Sequence, residues 1–504
     1  MPERGGRAPG FARRNAVALG VAAVVLAGSG LVAVQMLNSD RTGAGPAGGG
    51  RATSAFPTGA VAEGQADPPL RPLDDTFLDG DDDPLPVTAR TVEVADSGSL
   101  DVALASLTGG TTVVLADGTY DGDFGIRVAA TADSPVVVRA ANPGKAVLAA
   151  GSAMVVKKSA HVVVDGLMFL GGANTMLKLE SSNNVRVTHN TFDRGSGGEG
   201  SSKWLYVGGA DSHHNRIDHN TFRNKTDSGN YLMLDGSETQ VSQYDRIDHN
   251  RFLKIGPRAE NEKEAVRLGW SEISLSSGFT VFEYNLLEEC DGDPEVVSVK
   301  ASDMTVRYNT VRRSQGVVSL RHGDRNSLYG NVILGEGRPG TGGIRLYGVD
   351  NRVFNNYIAG TTGTGYDSAL SIDGGDAEAG GGLNKHHRVV DAMVLFNTLV
   401  DNATGIVVGE NYAMAPVNPT VANNLLADSG DIRQVKPAVG GSLQDNTVAS
   451  KSAAGLVEVG ATWKLAPASP QVDKAVGTFD FVDTDFEGTP RAGPKDIGAD
   501  ELVR

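Results

Sequence analysis

The sequence predicts an all-β protein that is wound as a right-handed parallel β-helix, and a repeated phrase is the main reason. After residue 91, a short run of branched apolar residues that ends in asparagine recurs nine times, as in VRVTHNTF, NRIDHNTF and MTVRYNTV. The most regular repeats are 24, 22 and 25 residues long, which is the length of one solenoid coil. Each coil should bury its branched side chains and stack its asparagine at a turn. We expect this ladder at Asn190, Asn220, Asn250, Asn285, Asn309, Asn331, Asn356, Asn397 and Asn424.

The composition agrees with this fold class. Glycine supplies 65 of the 504 residues and aromatic residues only 6%, as expected for many short strands joined by tight turns. A leucine-rich-repeat horseshoe is the structural alternative, but its fixed leucine spacing is missing from the chain. Elsewhere the ladder has intervals of 30 to 41 residues, which indicate that some coils carry inserted loops.

The first 37 residues have the pattern of an export segment. Residues 16–37 carry no charge, and Ala27, Gly28 and Ser29 offer small side chains at a cleavage site. The uncharged run is also long enough to cross a bilayer, so a cleaved signal peptide and an uncleaved signal anchor both stay open. In either case we expect the rest of the chain outside the cell, secreted or anchored to the outer face of the cytoplasmic membrane. The positive charge before the uncharged run comes from Arg4, Arg7, Arg13 and Arg14.

Three further segments follow the export segment. Residues 38–90 are rich in Gly, Ala, Pro and Asp and lack periodicity, which is typical of a flexible linker. Residues 91–460 carry the repeat and should form the β-helix domain that holds the active site. Residues 461–504 contain DTDFEGTPRAGPKDIGADE, which we interpret as a closing segment that covers the last coil.

The charge balance and the cysteine count exclude two classes of function. The net charge of -16 argues against a nucleic-acid partner, because a polyphosphate is bound by a strongly cationic surface. Cys290 is the single cysteine of the sequence, so neither an intramolecular disulfide nor a zinc site with several cysteines is possible. We expect Cys290 to be a small buried apolar side chain.

The stretch DGDPEVVSVK, residues 291–300, places two carboxylates and a lysine among valines. Alternation along a strand points Asp293 and Glu295 outward together, while the valines between the charged residues seek the interior. Strict alternation would place Lys300 on the opposite face from Glu295. We therefore predict a bend or bulge between these two residues, which is credible beside Pro294 because proline cannot donate to the strand ladder.

Three arginines lie between apolar neighbours in VRL, SLRHG and IRLYG, so their side chains should point outward from the coil. They are Arg267, Arg321 and Arg345. Lys300 and Arg321 are 21 residues apart and Arg321 and Arg345 are 24 apart, which is about one coil each. We therefore predict a ladder of cations beside the two carboxylates. Stacked like charges repel, so the arrangement predicts an anionic polymer and a bound metal as ligands.

Six segments in order resemble polysaccharide lyase family six, the family of alginate lyases and chondroitinase B. They cover roughly residues 91 to 360 and are ADGTYDGDF, NPGKAVLAAGSAMVVKKSAHVVVDGLMFLGG, GPRAENEKEAVRLG, NLLEECDGDPEVVSVKAS, VVSLRHG and GGIRLYG. The resemblance implies a lyase domain on a parallel β-helix. Position by position, it implies Ca²⁺ ligands at Asn261, Asp293 and Glu295, a catalytic base at Lys300, a catalytic acid at Arg321, and substrate contacts from Glu264, Arg267, His322 and Arg345.

Two positions depart from the pattern of the family. Its members usually have glutamate where Asp293 stands, and glycines where Glu262 and Lys263 stand. The shorter aspartate is expected to weaken or shift the metal.

The chemistry of β-elimination fits these side chains. The reaction removes the C5 proton of a uronic acid and pushes negative charge into the adjoining carboxylate. A hard cation such as Ca²⁺, held by oxygen ligands, neutralises that carboxylate. Lys300 accepts the proton as the neutral amine. Arg321 faces the glycosidic oxygen and acts chiefly by hydrogen bonding and charge stabilisation, since an arginine is a reluctant proton donor.

We expect the partner to be an anionic uronate polysaccharide, with alginate first and chondroitin or dermatan sulfate second. Two other functions stay open at this stage. A hydrolase of the polygalacturonase type would use a cluster of acidic residues without the lysine and the arginines. A non-catalytic β-helix would hold the polysaccharide without cleaving it. The sequence gives no indication of the oligomeric state, and a membrane is expected as partner only through an uncleaved N-terminal segment.

Overall fold

The chain repeats a coil of three short strands from residue 90 to residue 449. The computed structural model describes Gly80 and residues 82–193, 201–259 and 261–502. Each coil gives one strand to each of three parallel sheets, which we name A, B and C in the order in which the chain visits them. The predicted parallel β-helix is confirmed. The predicted export segment and nearly all of the predicted linker lie outside the described residues.

The strands of the described coils are short, mostly three to six residues. Sheet A consists of Arg90–Val94, Thr111–Leu115, Val136–Ala140, Ala160–Asp165, Asn183–Thr188, Arg216–Asp218, Arg246–Asp248, Val281–Glu283, Thr305–Arg307, Ser327–Tyr329, Arg352–Phe354, Met393–Leu395 and Thr420–Ala422. Sheet B consists of Gly118–Tyr120, Ala146–Leu148, Met168–Leu170, Thr191–Asp193, Thr221–Arg223, Arg251–Ile255, Leu286–Cys290, Thr310–Arg312, Val332–Leu334, Tyr357–Ala359, Thr398–Val400, Leu425–Ala427 and Thr447–Ala449. Sheet C consists of Asp123–Ile126, Ala153–Lys157, Leu177–Glu180, Leu205–Gly208, Leu232–Leu234, Val266–Gly269, Glu295–Lys300, Gly316–His322, Thr341–Leu346, Leu370–Ile372, Ile406–Val408 and Ile432–Gln434.

The asparagine ladder is the internal seam of the fold, and its prediction is confirmed. Each ladder asparagine lies at the turn from sheet A to sheet B, and its backbone N–H donates to the side-chain oxygen of the asparagine one coil later at 2.9 to 3.1 Å. The side-chain amide also donates to backbone carbonyls, as Asn309 does to Phe282 and Arg307. Because the turns are buried, these bonds satisfy backbone groups that water cannot reach. The ladder continues one step beyond the prediction, to Asn446.

The apolar side chains of the three sheets fill the centre of the coils in one continuous core. Cys290 is part of that core, as predicted, and burial raises the pKa of its thiol. A helix, Ser97–Ala105, packs against the first strands of sheets A and C and adds Leu100 and Leu104 to the core. Within the described ranges, no helix has the length and apolarity to span a bilayer.

The segment after the last coil has a different position from the one we predicted. It begins with an antiparallel hairpin, Leu456–Val459 and Thr462–Leu465. Its apolar residues, among them Leu456, Phe486 and Ile497, pack against outward-facing side chains of sheet B such as Val332 and Leu425. The segment therefore covers the side of several coils and not just the end of the last one. The reason is that sheet B carries apolar residues on its outer face there, and these need cover.

Candidate active site

Four neighbouring strands of sheet C carry the predicted site. Val266–Gly269, Glu295–Lys300, Gly316–His322 and Thr341–Leu346 lie side by side in this order. Their outward side chains and the loops beside them form a cleft of about 680 Å³. Seven of the nine residues predicted for the site line this cleft: Asn261, Asp293, Glu295, Lys300, Arg321, His322 and Arg345.

The irregularity predicted between Glu295 and Lys300 is present. The pairing of Glu295–Lys300 with Gly316–His322 shifts register twice, once after Glu295 and once after Val299. As a consequence Val296 and Val297, which are consecutive, are both buried in the core. The shifts let Glu295 and Lys300 line one cleft although five positions separate them.

The cations do not form the straight ladder that their spacing predicted. Lys300 pairs in register with His322, not with Arg321. Arg345 pairs with Ser319, whose partner in the preceding strand is Ser298. The prediction of a directly stacked ladder is wrong because the shifts move the charged residues out of one column. The cations instead surround a carboxylate.

That carboxylate belongs to Glu295. Arg345 Nη2 donates to Glu295 Oε1, Arg321 Nε lies 3.7 Å from the same oxygen, and the Ser298 hydroxyl donates to the other oxygen. Burial by itself would raise the pKa of Glu295, but Arg345, Lys300 and Arg321 outweigh burial and lower that pKa to about 2. Glu295 is thus a buried anion that holds two arginines at the floor of the cleft.

Glu264 has a different place from the one predicted. Its side chain is 1% exposed and does not line the cleft. Oε1 accepts a hydrogen bond from Lys300 Nζ at 2.9 Å, and Oε2 accepts one from Asn230 at 3.0 Å. Because its carboxylate is covered and already bonded, Glu264 positions Lys300 rather than contacting a polymer in the cleft.

Arg267 also lies outside the cleft. It lines a separate pocket of about 210 Å³ with Lys203, Tyr206 and Trp270, among other residues. Its guanidinium lies 4.7 Å from the centre of the Trp270 ring. The side chain is buried, and its Nε has no hydrogen-bond partner among the described residues. The structure therefore does not bring Arg267 together with the seven residues of the cleft.

Arg321 and His322 form a pair at the wall of the cleft. Arg321 Nη1 lies 2.6 Å from His322 Nε2. Burial, together with Arg321 and Lys300, lowers the pKa of His322 to about 2, so the imidazole is neutral near pH 7. Its Nε2 therefore accepts the hydrogen bond from Arg321, and its Nδ1 carries the proton. The neutral histidine fixes the direction of the guanidinium without adding a charge.

Asp293 is the carboxylate of the cleft without a cation. Its Oδ1 accepts from the backbone N–H of Glu295 at 3.0 Å and its Oδ2 from that of Lys263 at 3.3 Å. No lysine, arginine or histidine forms an ion pair with it in the part of the chain that the structure describes. Burial raises the pKa of Asp293 to about 7, with Glu264 and Glu295 adding repulsion.

Asn261 is exposed and lines the cleft together with Asp293 and Glu295. The three side chains offer amide and carboxylate oxygens, which is the donor set that Ca²⁺ prefers. An ionised Asp293 lacks a counter-charge that a divalent cation would supply. The residues present therefore fit the metal that the sequence predicted.

Sequence reasoning missed one end of the cleft. Tyr366, Asn384, Asn411 and Tyr412 line it there, all beyond residue 360, where the quoted resemblance ended. Two of them lie in the insertion between the ladder positions Asn356 and Asn397, the longest interval of the ladder. That interval was the available signal, because a long insertion on one coil marks a loop that can reach over the neighbouring coils.

We expect Arg345→Ala to lower the free energy of unfolding by about 3 to 5 kcal/mol, since it leaves Glu295 buried without its closest cation. The sequence alone predicted an outward cation whose loss affects only binding. The lowered pKa of Glu295 means that its stabilisation is full above the ordinary value of 4.5 and is lost as the pH falls towards 2. Chemical denaturation from pH 7 to pH 3 should show this acid-dependent loss in the wild type and much less of it in the variant.

The matched control is Arg433→Ala, which removes an arginine of sheet C that pairs with Glu410 and is 50% exposed. Exposed pairs contribute roughly 0 to 1 kcal/mol, so the control should stay close to the wild type. Equal losses in the two variants would contradict the role given to Arg345.

Comparisons with known proteins agree with this geometry. The model of the family described as Chondroitinase B matches residues 94–453. The solved structure of the PL6 family alginate lyase AlyGC has a TM-score of 0.66 and 26% identity, and the match covers 81% of this chain and 57% of that one. A mutant of AlyGC gives a TM-score of 0.65 and 29% identity over 71% of this chain and 51% of that one. The present chain thus spans a little over half of the length of AlyGC.

A mannuronic acid specific family 6 lyase from human gut microbiota has a TM-score of 0.59 and 24% identity, over 69% of this chain and 83% of that one, and supports the fold alone. A search of curated proteins gives no match. The family model spans well over half of the sequence and includes every residue that lines the cleft. On this ground the chain belongs to the chondroitinase B family, which is polysaccharide lyase family six.

Proposed function

We propose that this protein cleaves a uronic-acid polysaccharide by β-elimination, with alginate as the first substrate and chondroitin or dermatan sulfate as the second. The observation that carries the proposal is the meeting of Lys300 and Arg321 in one cleft, beside Arg345 and the carboxylates of Asp293 and Glu295. A hydrolase of the polygalacturonase type needs a pair of carboxylates free to act as acid and base. Glu295 is bonded to arginines here, so the elimination is favoured.

The cleft supplies a base and a proton-donating group for the elimination. Lys300, as the neutral amine, takes the C5 proton, and the electron pair of the C5–H bond forms the double bond between C4 and C5. The bond between C4 and the glycosidic oxygen then breaks. Arg321 faces the leaving oxygen and stabilises its charge, while a proton from the guanidinium or from water completes the new hydroxyl group. Glu264 keeps the amine in place through its 2.9 Å bond to Nζ.

Calcium is part of the proposal, with Asn261, Asp293 and Glu295 as ligands. Support comes from the oxygen donors that face one cleft and from Asp293, whose raised pKa marks a carboxylate without a counter-charge. When bound, Ca²⁺ would neutralise the carboxylate of the substrate and so ease the removal of the C5 proton. Since Arg345 and Arg321 already neutralise Glu295, Asp293 is the ligand whose charge the metal would balance most directly.

Removal of divalent metal should abolish most of the activity, and Ca²⁺ should restore it. Stability gives a second measurement. Because the pKa of Asp293 is raised to about 7, ionisation of Asp293 destabilises the metal-free fold, and this loss sets in as the pH rises through 7. In chelator, Asp293→Asn should therefore unfold at a higher temperature than the wild type at pH 8 and at a similar temperature at pH 4.

Added Ca²⁺ should raise the unfolding temperature of the wild type at pH 8 more than that of Asp293→Asn. A matched control is Asp376→Asn, a carboxylate outside the proposed ligand set. Full activity in excess chelator, with no metal in the purified protein, would exclude the role of calcium.

The choice of substrate rests on the relatives. AlyGC is described as an alginate lyase, and the matching family model carries the description Chondroitinase B. Purified protein should be incubated with alginate, chondroitin sulfate and dermatan sulfate, with and without chelator, while ultraviolet absorbance follows the unsaturated sugar. Absorbance that grows with alginate supports the proposal. New reducing ends without absorbance would identify a hydrolase, and binding without either product would identify a non-catalytic protein.

We also propose that the cleft operates outside the cell, either on a secreted chain or on one anchored to the outer face of the cytoplasmic membrane. Support comes from the charged start and the uncharged residues 16–37. A polymer of uronic acids is also too large to enter the cytoplasm unaided. Cell fractionation followed by immunodetection tests this proposal, and full-length protein in the cytosol would contradict it.

A further inference from the structure

A row of histidines runs along the outer edge of sheet A, away from the cleft of sheet C. His189, His219 and His249 come from the same position of three consecutive repeats, THNTF, DHNTF and DHNRF. Their rings stack, with centres 5.4 and 5.1 Å apart. Residues from the N-terminal side of the first strand, Gly80 and Asp82, lie against the first two rings.

Each of the first two histidines has an oxygen at both ring nitrogens. In His189, Nδ1 lies 2.9 Å from Asp165 Oδ1 and Nε2 lies 3.2 Å from Asp82 Oδ2. In His219, Nδ1 lies 2.9 Å from Asp218 Oδ2 and Nε2 lies 3.0 Å from the carbonyl oxygen of Gly80. A neutral imidazole has a single N–H, so it cannot donate to both oxygens. A cation is therefore needed on the Nε2 side of both rings, either a second proton on each or a shared metal ion.

We propose that His189, His219 and Asp82 bind a divalent transition metal, with Zn²⁺ as the representative ion. One ligand atom from each of the three residues lies within 4.8 Å of the others. Two imidazole nitrogens and a carboxylate oxygen form a common ligand set for Zn²⁺. The carbonyl oxygen of Gly80 lies beside the same nitrogens and offers a fourth ligand.

The residues behind the rings favour a metal over two protons. Metal-binding histidines usually donate their other ring N–H to a carboxylate, which fixes the tautomer and directs the free nitrogen at the ion. Asp165 and Asp218 occupy this position behind His189 and His219, and Asp218 is fully buried. Two imidazolium rings stacked at 5.4 Å would also repel each other, whereas one shared ion places a single charge between them.

Asp82 keeps an oxygen available for the ion. Its Oδ1 pairs with Arg186 at 3.2 Å, while its Oδ2 is the atom that faces His189. Asp83 continues the contact of this segment through an ion pair with Arg216 at 2.6 Å. A metal at this place would fasten the segment of Asp82 and Asp83 to the side of two coils, and so fix the direction in which the preceding residues leave the β-helix.

The test is a calorimetric titration of Zn²⁺ into the tag-free full chain, with excess Ca²⁺ present to fill the oxygen site proposed in the cleft. Asparagine replaces each histidine, because both positions have positive φ, +52° and +54°, which asparagine tolerates. His189→Asn, His219→Asn and Asp82→Asn should each weaken one equivalent of zinc binding by at least about tenfold, and Asp165→Asn by about tenfold. The matched control is His161→Asn, which also has positive φ, +51°, and lies outside the cluster.

Asp82→Asn keeps the test valid if the histidine variants fail to fold, because Asp82 is 44% exposed and belongs to no coil. Hydrogen exchange gives a second readout, since zinc should slow the exchange of the amides of residues 82–90 in the wild type and not in Asp82→Asn. Zinc binding that is the same in all variants, or absent, overturns the proposal. So does protection of residues 82–90 that follows the pH between 5 and 8 and ignores zinc, because that result assigns the second cation to protons.

Discussion

Lys300→Ala should lower the turnover of saturating polymer by about 10²- to 10⁴-fold, which is the usual contribution of a general base. Lys300 Nζ lines the cleft and is held 2.9 Å from Glu264, so the amine is fixed in one place. Alanine leaves nothing at that place to accept the C5 proton. Initial rates from the ultraviolet absorbance of the unsaturated sugar measure the effect.

Loss of the lysine also affects stability, because Glu264 would stay buried without the cation that it holds. The double variant Lys300→Ala/Glu264→Gln removes the buried charge as well, so it should regain thermal stability but not activity. The matched control is Lys178→Ala, a lysine of the same sheet that pairs with Glu180 far from the cleft. Near-normal turnover of Lys300→Ala would show that another group is the base.

Arg321→Lys should lower turnover by about 10²- to 10³-fold, the effect of losing one positioned donor to a developing oxyanion, while the polymer still binds. Lysine keeps the positive charge but lacks the planar fork that bonds to His322 and approaches Glu295 at the same time. Steady-state kinetics should therefore show a large fall in kcat with a small change in KM.

The leaving group distinguishes the acid from the base. A substrate whose leaving oxygen belongs to a phenol needs little protonation, so Arg321→Lys should recover much of its rate on it while Lys300→Ala should not. Arg325→Lys is the matched control, because Arg325 pairs with Asp303 on a loop near Arg321 and is absent from the cleft lining. An equal loss on both kinds of substrate would contradict the role of Arg321 at the leaving oxygen.

Several features of the site were predictable from the sequence for local reasons. Asp293, Glu295 and Lys300 lie within eight positions of one strand, so alternation and the need for a bulge could be reasoned from the letters alone. The partners of Lys300 could not. Glu264 and Asn230 come from the two preceding coils, and nothing in their own segments indicates that they bond to each other and to the lysine.

The sequence by itself determined the coil. Repeats of 22 to 25 residues, branched apolar residues and an asparagine at each turn are local properties, and a solenoid is built from contacts between neighbouring repeats. Tertiary structure decided the register. Two one-residue shifts beside Glu295 turned a predicted column of repelling cations into a ring around one carboxylate, and they left Asp293 without a counter-charge. Tertiary structure also brought Tyr366 and Tyr412 to the cleft and laid the C-terminal segment along sheet B. Register and loop placement depend on which coils touch, and the spacing of residues along the chain does not contain that information.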